Sequence, residues 1–167
     1  SCLAEATYTC VAEKAGEIIG IIMGKADSNY RIYNHISHMA SALWYGLKIR
    51  LQIKKCLTGI QDYQDIHKVY QSFSKKHKGE FDGVLTLFAV EEMYRGYGVG
   101  KFLLFGLFQY LSLHGTKRIY LYTDTTCNVG FYEHHGFTRL EEERLSLTRD
   151  GKPFWMDVYL YGYQLEA

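Results

Sequence analysis

A glycine-rich loop between an apolar strand and an apolar helix constrains the fold of this chain more than any other feature. Gly96, Gly98 and Gly100 alternate directly after an apolar run that ends at Val90. Glycine reaches backbone conformations that other residues rarely adopt, and a helix N-terminus offers unpaired N–H groups and a partial positive charge. The loop therefore predicts an anion-binding site, with a tight turn that binds nothing as the alternative.

The pattern around this loop predicts a mixed α/β domain. Strands are expected at 7–13 and 18–25 as a hairpin, at 81–90, at 118–123, and at 140–147 and 154–165 as a second hairpin. Helices are expected at 99–113 and 128–134, with Gly115 and Gly136 placed to end them. The apolar run from Val84 indicates a buried central strand, and the strand–loop–helix–strand order predicts a parallel crossover.

Residues 26–80 have a different character, because apolar side chains recur there at helical spacing. We expect a helical insertion in a single domain over residues 1–167. The chain begins at Ser1, close to strand-like sequence, so we expect it to be a fragment of a longer protein. Core packing is the simplest explanation of this apolar stripe, which includes Ile32, Ile36, Met39 and Leu43.

The composition of the chain argues against two classes of binding partner. A net charge of +1 over 167 residues favours neither nucleic acid nor an anionic membrane, and no apolar run approaches the length of a membrane span. The cysteines lack zinc-ligand or CxxC spacing, so we expect reduced thiols in a cytoplasmic protein. They are Cys2, Cys10, Cys56 and Cys127.

Two common phosphate loops do not fit the sequence. A Walker loop requires a hydroxyl residue after Gly-Lys, whereas Phe102 follows Lys101 here, and its first glycine is replaced by Arg95. A dinucleotide-binding loop requires Gly-x-Gly-x-x-Gly, and the present spacing is one residue shorter. A nucleotide-binding enzyme is therefore the less favoured interpretation.

The pattern Arg95-x-x-Gly98-x-Gly100 resembles the signature of the GNAT superfamily of N-acetyltransferases. A second motif follows in the expected order, with Asn128, then Phe131-Tyr132, then Gly136-Phe137. The resemblance is strong over residues 81–137 and looser over the flanking hairpins.

This resemblance implies a twisted, mostly antiparallel sheet with a central splay between two parallel strands, flanked by helices. Acetyl-CoA is the implied co-substrate, and its pantetheine arm would pair with the strand edge at Phe88, Ala89 and Val90. Its pyrophosphate would lie on the loop, which comprises Arg95, Gly96, Tyr97, Gly98, Val99, Gly100 and Lys101.

The resemblance also implies the chemistry. An amine attacks the thioester directly, one proton leaves the amine and one reaches the sulfur. Tyr132 matches the family's proton donor, while Asn128 and Phe131 would contact the pantetheine arm. A purely structural role for Tyr132, as a core ring beside Phe137, is the alternative.

No general base stands out. The central strand carries no titratable residue, which leaves Asp124, Asp82, Glu80 or a chain of water molecules. Asp124 could instead cap the following turn. We expect no metal site, no covalent acyl-cysteine at Cys127 and a surface position for the histidine pair.

The expected function is acetyl transfer to a primary amine of a small molecule or peptide. A non-catalytic acyl-CoA-binding or regulatory module on the same fold is the alternative. The insertion could supply an aromatic amine pocket or the interface of a homodimer. The pocket candidates are Trp44, Tyr45, Tyr63 and Tyr70.

Overall fold

The computed structural model describes residues 6–27, 60–149 and 152–166. The strands are β1 (Tyr8–Lys14), β2 (Glu17–Ala26), β3 (Gly83–Val90), β4 (Arg118–Asp124), β5 (Thr138–Arg149) and β6 (Lys152–Gln164). The helices are α1 (Ile60–Lys76), α2 (Val99–Leu113) and α3 (Val129–His134). Each predicted strand and helix in this part of the chain is present, with ends that differ by a few residues.

Several predictions concern residues outside this part of the chain. They are the apolar stripe at residues 32, 36, 39 and 43, the aromatic pair Trp44 and Tyr45, two cysteines (Cys2 and Cys56) and residues 150–151 in the turn of the second hairpin. Of the predicted insertion, the structure describes α1 and the turn that follows it. Among the helices it describes, none is long and apolar enough to cross a membrane.

The strands form one mixed sheet in the order β1-β2-β3-β4-β6-β5. The pairs β1/β2, β2/β3 and β5/β6 are antiparallel, and β3/β4 is parallel. The predicted fold class is therefore confirmed. The parallel register joins Gly83 to Ile119 and Val84 to Tyr120, whereas β2 pairs with β3 as far as Val90.

The apolar run from Val84 predicted a buried central strand, and the structure differs from this in the second half of β3. The strand begins at Gly83 rather than Phe81, and its second half alternates, with Leu87 39% exposed and Ala89 also exposed. The apolar run did not reveal this, because burial depends on what covers each face of the strand. The register with β4 ends at Val84, so the later residues of β3 have β2 as their paired neighbour.

The described residues belong to two compact units. The first contains residues 6–27, 81–120 and 164–166. In it, α2 packs on β1, β2 and β3. Its buried face consists of Leu103, Leu104, Leu107 and Leu111. A Cβ on Gly24 would lie 2.5 Å from Leu107 Cδ1, so β2 needs a residue without a side chain where the helix crosses it. This packing fixes the start of α2 relative to the end of β3.

The second unit contains residues 60–80 and the described part of 121–163. Here α1 packs against β5 and buries Val69 and Phe73. At its end, His77 Nε2 lies 3.0 Å from Glu141 Oε1, and Lys76 Nζ lies 2.8 Å from Glu141 Oε2. The hydrogen bond with Glu80 raises the pKa of His77, and Glu141 adds to this effect against the opposing effect of burial. These charged contacts attach the end of α1 to β5.

Candidate functional site

The glycine loop has the backbone conformation that the sequence predicts. Gly96 and Gly98 both have φ of +82°, in the left-handed region that favours glycine. An added Cβ at either position would meet no atom within 4 Å. The conformation, and not crowding within the protein, therefore explains why glycine is present at these two positions.

The same loop presents unpaired backbone donors. The first helical hydrogen bond of α2 runs from Phe102 N to Gly98 O, at 3.0 Å. Among the described residues, the N–H groups of residues 96–101 have no hydrogen-bond partner. Residues 95–98 are exposed, and the helix behind them has 15 residues. Exposed donors at the start of a long helix are the arrangement that binds a phosphate group.

Cationic side chains adjoin this loop, and one of them was missed by the sequence analysis. Arg95 folds back, and its Nε donates to the carbonyl oxygen of Val90 at 3.2 Å. Lys101 is exposed on the first turn of α2. Lys14 Nζ lies 5.0 Å from the ring centroid of Tyr94. No local sequence signal indicates Lys14, because its position depends on how β1 pairs with β2 and β2 pairs with β3.

The predicted pantetheine edge lies directly before the loop. Phe88 and Val90 are half-buried, and Ala89 is exposed. The carbonyl of Val90 already accepts the bond from Arg95. A ligand amide that donates a hydrogen bond to this carbonyl would therefore share the carbonyl with the guanidinium group of Arg95 or displace that group.

The second motif lies in the other unit, on α3. Asn128 is the N-cap residue, is exposed, and makes no side-chain capping hydrogen bond. Phe131 is half-buried, and Tyr132 lies four residues after Asn128 along the chain. The amide of Asn128 is thus not committed to the helix end, where an asparagine side chain commonly binds a backbone N–H.

Tyr132 is a buried residue, with 8% of its surface exposed. Its ring packs edge-on against Phe137, at 5.6 Å between centroids, and lies 6.0 Å from the ring of Tyr161. Burial, with a smaller contribution from Cys127, raises the pKa of Tyr132 to about 12. The hydroxyl is therefore protonated at neutral pH, and the packing also fits the structural alternative.

A polar network that the sequence analysis missed lies against Tyr132. The Tyr161 hydroxyl donates a hydrogen bond to Glu133 Oε1 at 2.7 Å, and Arg139 Nη2 donates a second one to the same oxygen at 2.7 Å. Arg139 Nε also donates to the Tyr161 hydroxyl at 3.0 Å, and its guanidinium lies 4.4 Å from the centroid of Tyr159. This network joins α3 to β5 and β6, and so holds the residues around Tyr132.

All three carboxylates that are candidates for the general base make contacts within the protein. Both carboxylate oxygens of Asp82 accept backbone N–H groups of Lys117 and Arg118, at 2.8 to 3.0 Å. Glu80 Oε2 lies 3.1 Å from His77 Nδ1. Asp124 Oδ1 accepts the backbone N–H of Thr126 at 2.8 Å, as the turn-capping alternative predicts.

The remaining titratable candidates do not form a further constellation. Cys127 is an exposed free thiol, and Cys10 is also free. His135 Nδ1 lies 2.8 Å from the carbonyl oxygen of Phe131, and its ring stacks on that residue at 4.1 Å. His134 is exposed. Within the described part of the chain, no group of three or more His, Cys, Asp or Glu residues could hold a metal ion.

Just under half of the chain is similar to a known protein family. Residues 56–137 match the family described as acetyltransferase (GNAT). No curated protein sequence matches the chain significantly.

Solved structures with the same fold are distant in sequence. An acetyltransferase of the GNAT family from Streptococcus pneumoniae is 19% identical, with a TM-score of 0.52 over 93% of this chain. An agmatine N-acetyltransferase is 15% identical, with a TM-score of 0.60 over 94% of this chain and 74% of its own. A ribosomal-protein-alanine N-acetyltransferase from Brucella melitensis is 12% identical, with a TM-score of 0.50 over 94% of this chain and 68% of its own. The present chain spans 66% of the length of the pneumococcal protein.

Proposed function

We propose that this chain is an acetyltransferase of the GNAT family and that it transfers an acetyl group from acetyl-CoA to a primary amine of a small molecule or peptide. The observation that carries the proposal is the exposed loop of unpaired N–H groups at residues 96–101. The amine nitrogen attacks the thioester carbonyl carbon, and the bond between that carbon and sulfur then breaks. The proton that the amine loses balances the one that the thiolate gains.

The coenzyme is assigned to the residues predicted from the sequence and to Lys14. Its pyrophosphate binds the N–H groups of residues 96–101, with positive charge from Arg95, Lys101 and Lys14. The edge of β3 at 88–90 pairs with the pantetheine amides, and Asn128 and Phe131 contact the same arm. The uncommitted amide of Asn128 and the exposed second half of β3 support these assignments.

Tyr132 is assigned to the leaving sulfur. A pKa near 12 keeps its hydroxyl protonated, as a donor requires. As the carbon–sulfur bond breaks, Tyr132 donates its proton to the leaving sulfur, and the proton that the amine loses restores the tyrosine hydroxyl.

A non-catalytic acyl-CoA-binding module on the same fold is the second candidate. It is favoured by the absence of a titratable side chain on β3 and by the structural contacts of Asp82 and Glu80. The similar structures include proteins named for agmatine and for the alanine of a ribosomal protein, so the fold alone does not select an acceptor. A cytoplasmic location and a homodimer stay predictions.

Thermal unfolding with two ligands tests the assignment. Acetyl-CoA at about 100 times its dissociation constant should stabilise the protein by about 2.7 kcal/mol. ATP with magnesium should give no comparable increase in melting temperature, because the loop lacks the hydroxyl and spacing of a Walker loop. A larger increase with ATP than with acetyl-CoA would remove the acyltransferase assignment.

A further inference from the structure

One face of β4 carries an acidic and an aromatic side chain next to α1, and α1 contributes a second aromatic side chain. Tyr122 and Asp124 are two residues apart on this strand, so both side chains lie on the same side of the sheet. Tyr70 of α1 stacks on Tyr122, with 4.2 Å between centroids and 17° between ring planes. The Tyr122 hydroxyl donates to the backbone carbonyl of Tyr70 at 3.0 Å. Asp124 therefore lies beside the point where α1 contacts β4.

The carboxylate of Asp124 is only partly used. Its Oδ1 accepts the N–H and the hydroxyl of Thr126, which fixes the orientation of the side chain. Among the described residues, its Oδ2 accepts no hydrogen bond, and the residue is half-buried. A carboxylate oxygen that is partly withdrawn from water and held in place is a strong acceptor for a cationic donor.

Tyr70 lies within electrostatic reach of this carboxylate. Burial raises the pKa of Tyr70 to about 12, and the charge of Asp124 is the next largest cause, followed by Cys127 and Tyr122. The Tyr70 hydroxyl is thus neutral at physiological pH and can accept a hydrogen bond from a cation that Asp124 binds. Neither Tyr70 nor Asp124 has a role in holding the coenzyme under the proposed function.

We propose that Asp124 and Tyr70 bind the ammonium group of the acceptor, so that the acceptor is a primary amine that is cationic at neutral pH. This inference rests on the proposed acetyl transfer and names its substrate class. An ammonium group has three N–H donors, and Asp124 Oδ2 and the Tyr70 hydroxyl supply two acceptors for them. The third N–H releases its proton to solvent water before the nitrogen attacks, because an ammonium nitrogen has no lone pair. A neutral acceptor would make no use of the negative charge of Asp124, whereas an ammonium group would form a charge-assisted hydrogen bond with it.

The test compares matched variants. Asp124→Asn keeps an oxygen for Thr126 and removes the charge, while Tyr70→Phe keeps the stacked ring and removes the hydroxyl. Asp65→Asn is the control, because it removes a carboxylate of α1 that pairs with Lys68. Thiol release from acetyl-CoA is measured with three amines that are cationic at neutral pH, namely 1,4-diaminobutane, n-butylamine and alanylglycine, and with aniline, which is neutral.

The wild type should acetylate at least one cationic amine. For that amine, Asp124→Asn should raise KM roughly ten- to hundredfold, as for the loss of one charge-assisted hydrogen bond. Tyr70→Phe should raise KM less, Asp65→Asn should leave it unchanged, and stabilisation by acetyl-CoA should be equal in all variants. An unchanged KM in Asp124→Asn, or a wild type that acetylates only aniline, overturns the subsite while the proposed function stands. A wild type that acetyl-CoA does not stabilise overturns both.

Discussion

Gly98→Asp should abolish the stabilisation of the protein by acetyl-CoA. In the wild type, about 2.7 kcal/mol of ligand stabilisation corresponds to an increase of roughly 5 to 10 °C in melting temperature for a chain of this size. Gly98 is the N-cap residue of α2, its φ is +82°, and the space beside it is empty. An aspartate there would place a side chain and a negative charge where the pyrophosphate is proposed to bind. Thermal unfolding with and without acetyl-CoA measures the loss.

Gly79→Asp is the matched control for this substitution. Gly79 has φ of +83°, an added Cβ there would also meet no atom within 4 Å, and the residue follows α1 in the other unit. The backbone strain and the charge change are therefore similar, and this variant should keep the full increase with acetyl-CoA. If Gly98→Asp keeps the increase as well, the coenzyme does not bind this loop.

Tyr132→Phe should lower kcat by about 100-fold and leave the affinity for acetyl-CoA nearly unchanged. Losses of this size are typical when a group that assists proton transfer is removed. The ring still fills the space beside Phe137 and Tyr161, so the variant should fold. Steady-state kinetics with the preferred amine measure kcat, and thermal unfolding with acetyl-CoA reports on affinity.

Tyr163→Phe controls for the loss of a hydroxyl group near the same rings. Tyr163 is half-buried on β6, and its ring lies 4.9 Å from that of Phe137. Its kcat should stay within about twofold of the wild type, since surface or near-surface substitutions away from a special feature have small effects. An unchanged kcat in Tyr132→Phe would leave Tyr132 with a packing role, and water or another group would then protonate the sulfur.

The sequence predicted those parts of the fold that depend on local backbone chemistry. Gly115 and Gly136 have φ of +75° and +85°, and each follows the end of a helix as predicted. The loop at Gly96 and Gly98 was predicted for the same reason. In each case the signal is a residue type whose conformational range is unusual, so it does not depend on distant parts of the chain.

Features that depend on distant pairings could not be predicted. The exposure of Leu87 follows from what covers each face of β3, and not from its apolar character. Tyr70 contacts Tyr122 across 52 positions of sequence, and Arg139 contacts Tyr161 across 22. Tyr70 was a pocket candidate only as an aromatic residue of the insertion, and its contact with β4 is what places it beside Asp124.

Tyr132, the proposed proton donor, could be predicted in part: its position was predicted from the sequence, but its packing was not. The motif fixed the position of Tyr132 on a short helix, four residues after Asn128, and this position is observed. Its burial among Phe137 and Tyr161 depends on β6, which the motif does not include. A buried ring suits both the catalytic and the packing interpretation, so kinetics must distinguish them.

The most direct test of acetyl transfer is to follow the acetyl group itself. The protein would be incubated with acetyl-CoA carrying a carbon-13-labelled acetyl group and a panel of primary amines, and the amines would be analysed by mass spectrometry. We expect at least one amine to acquire the labelled acetyl group in an amount equal to the free thiol released, and Gly98→Asp to prevent both. Binding of acetyl-CoA with no labelled amine, or with release of labelled acetate alone, would contradict acetyl transfer to an amine and favour the non-catalytic module.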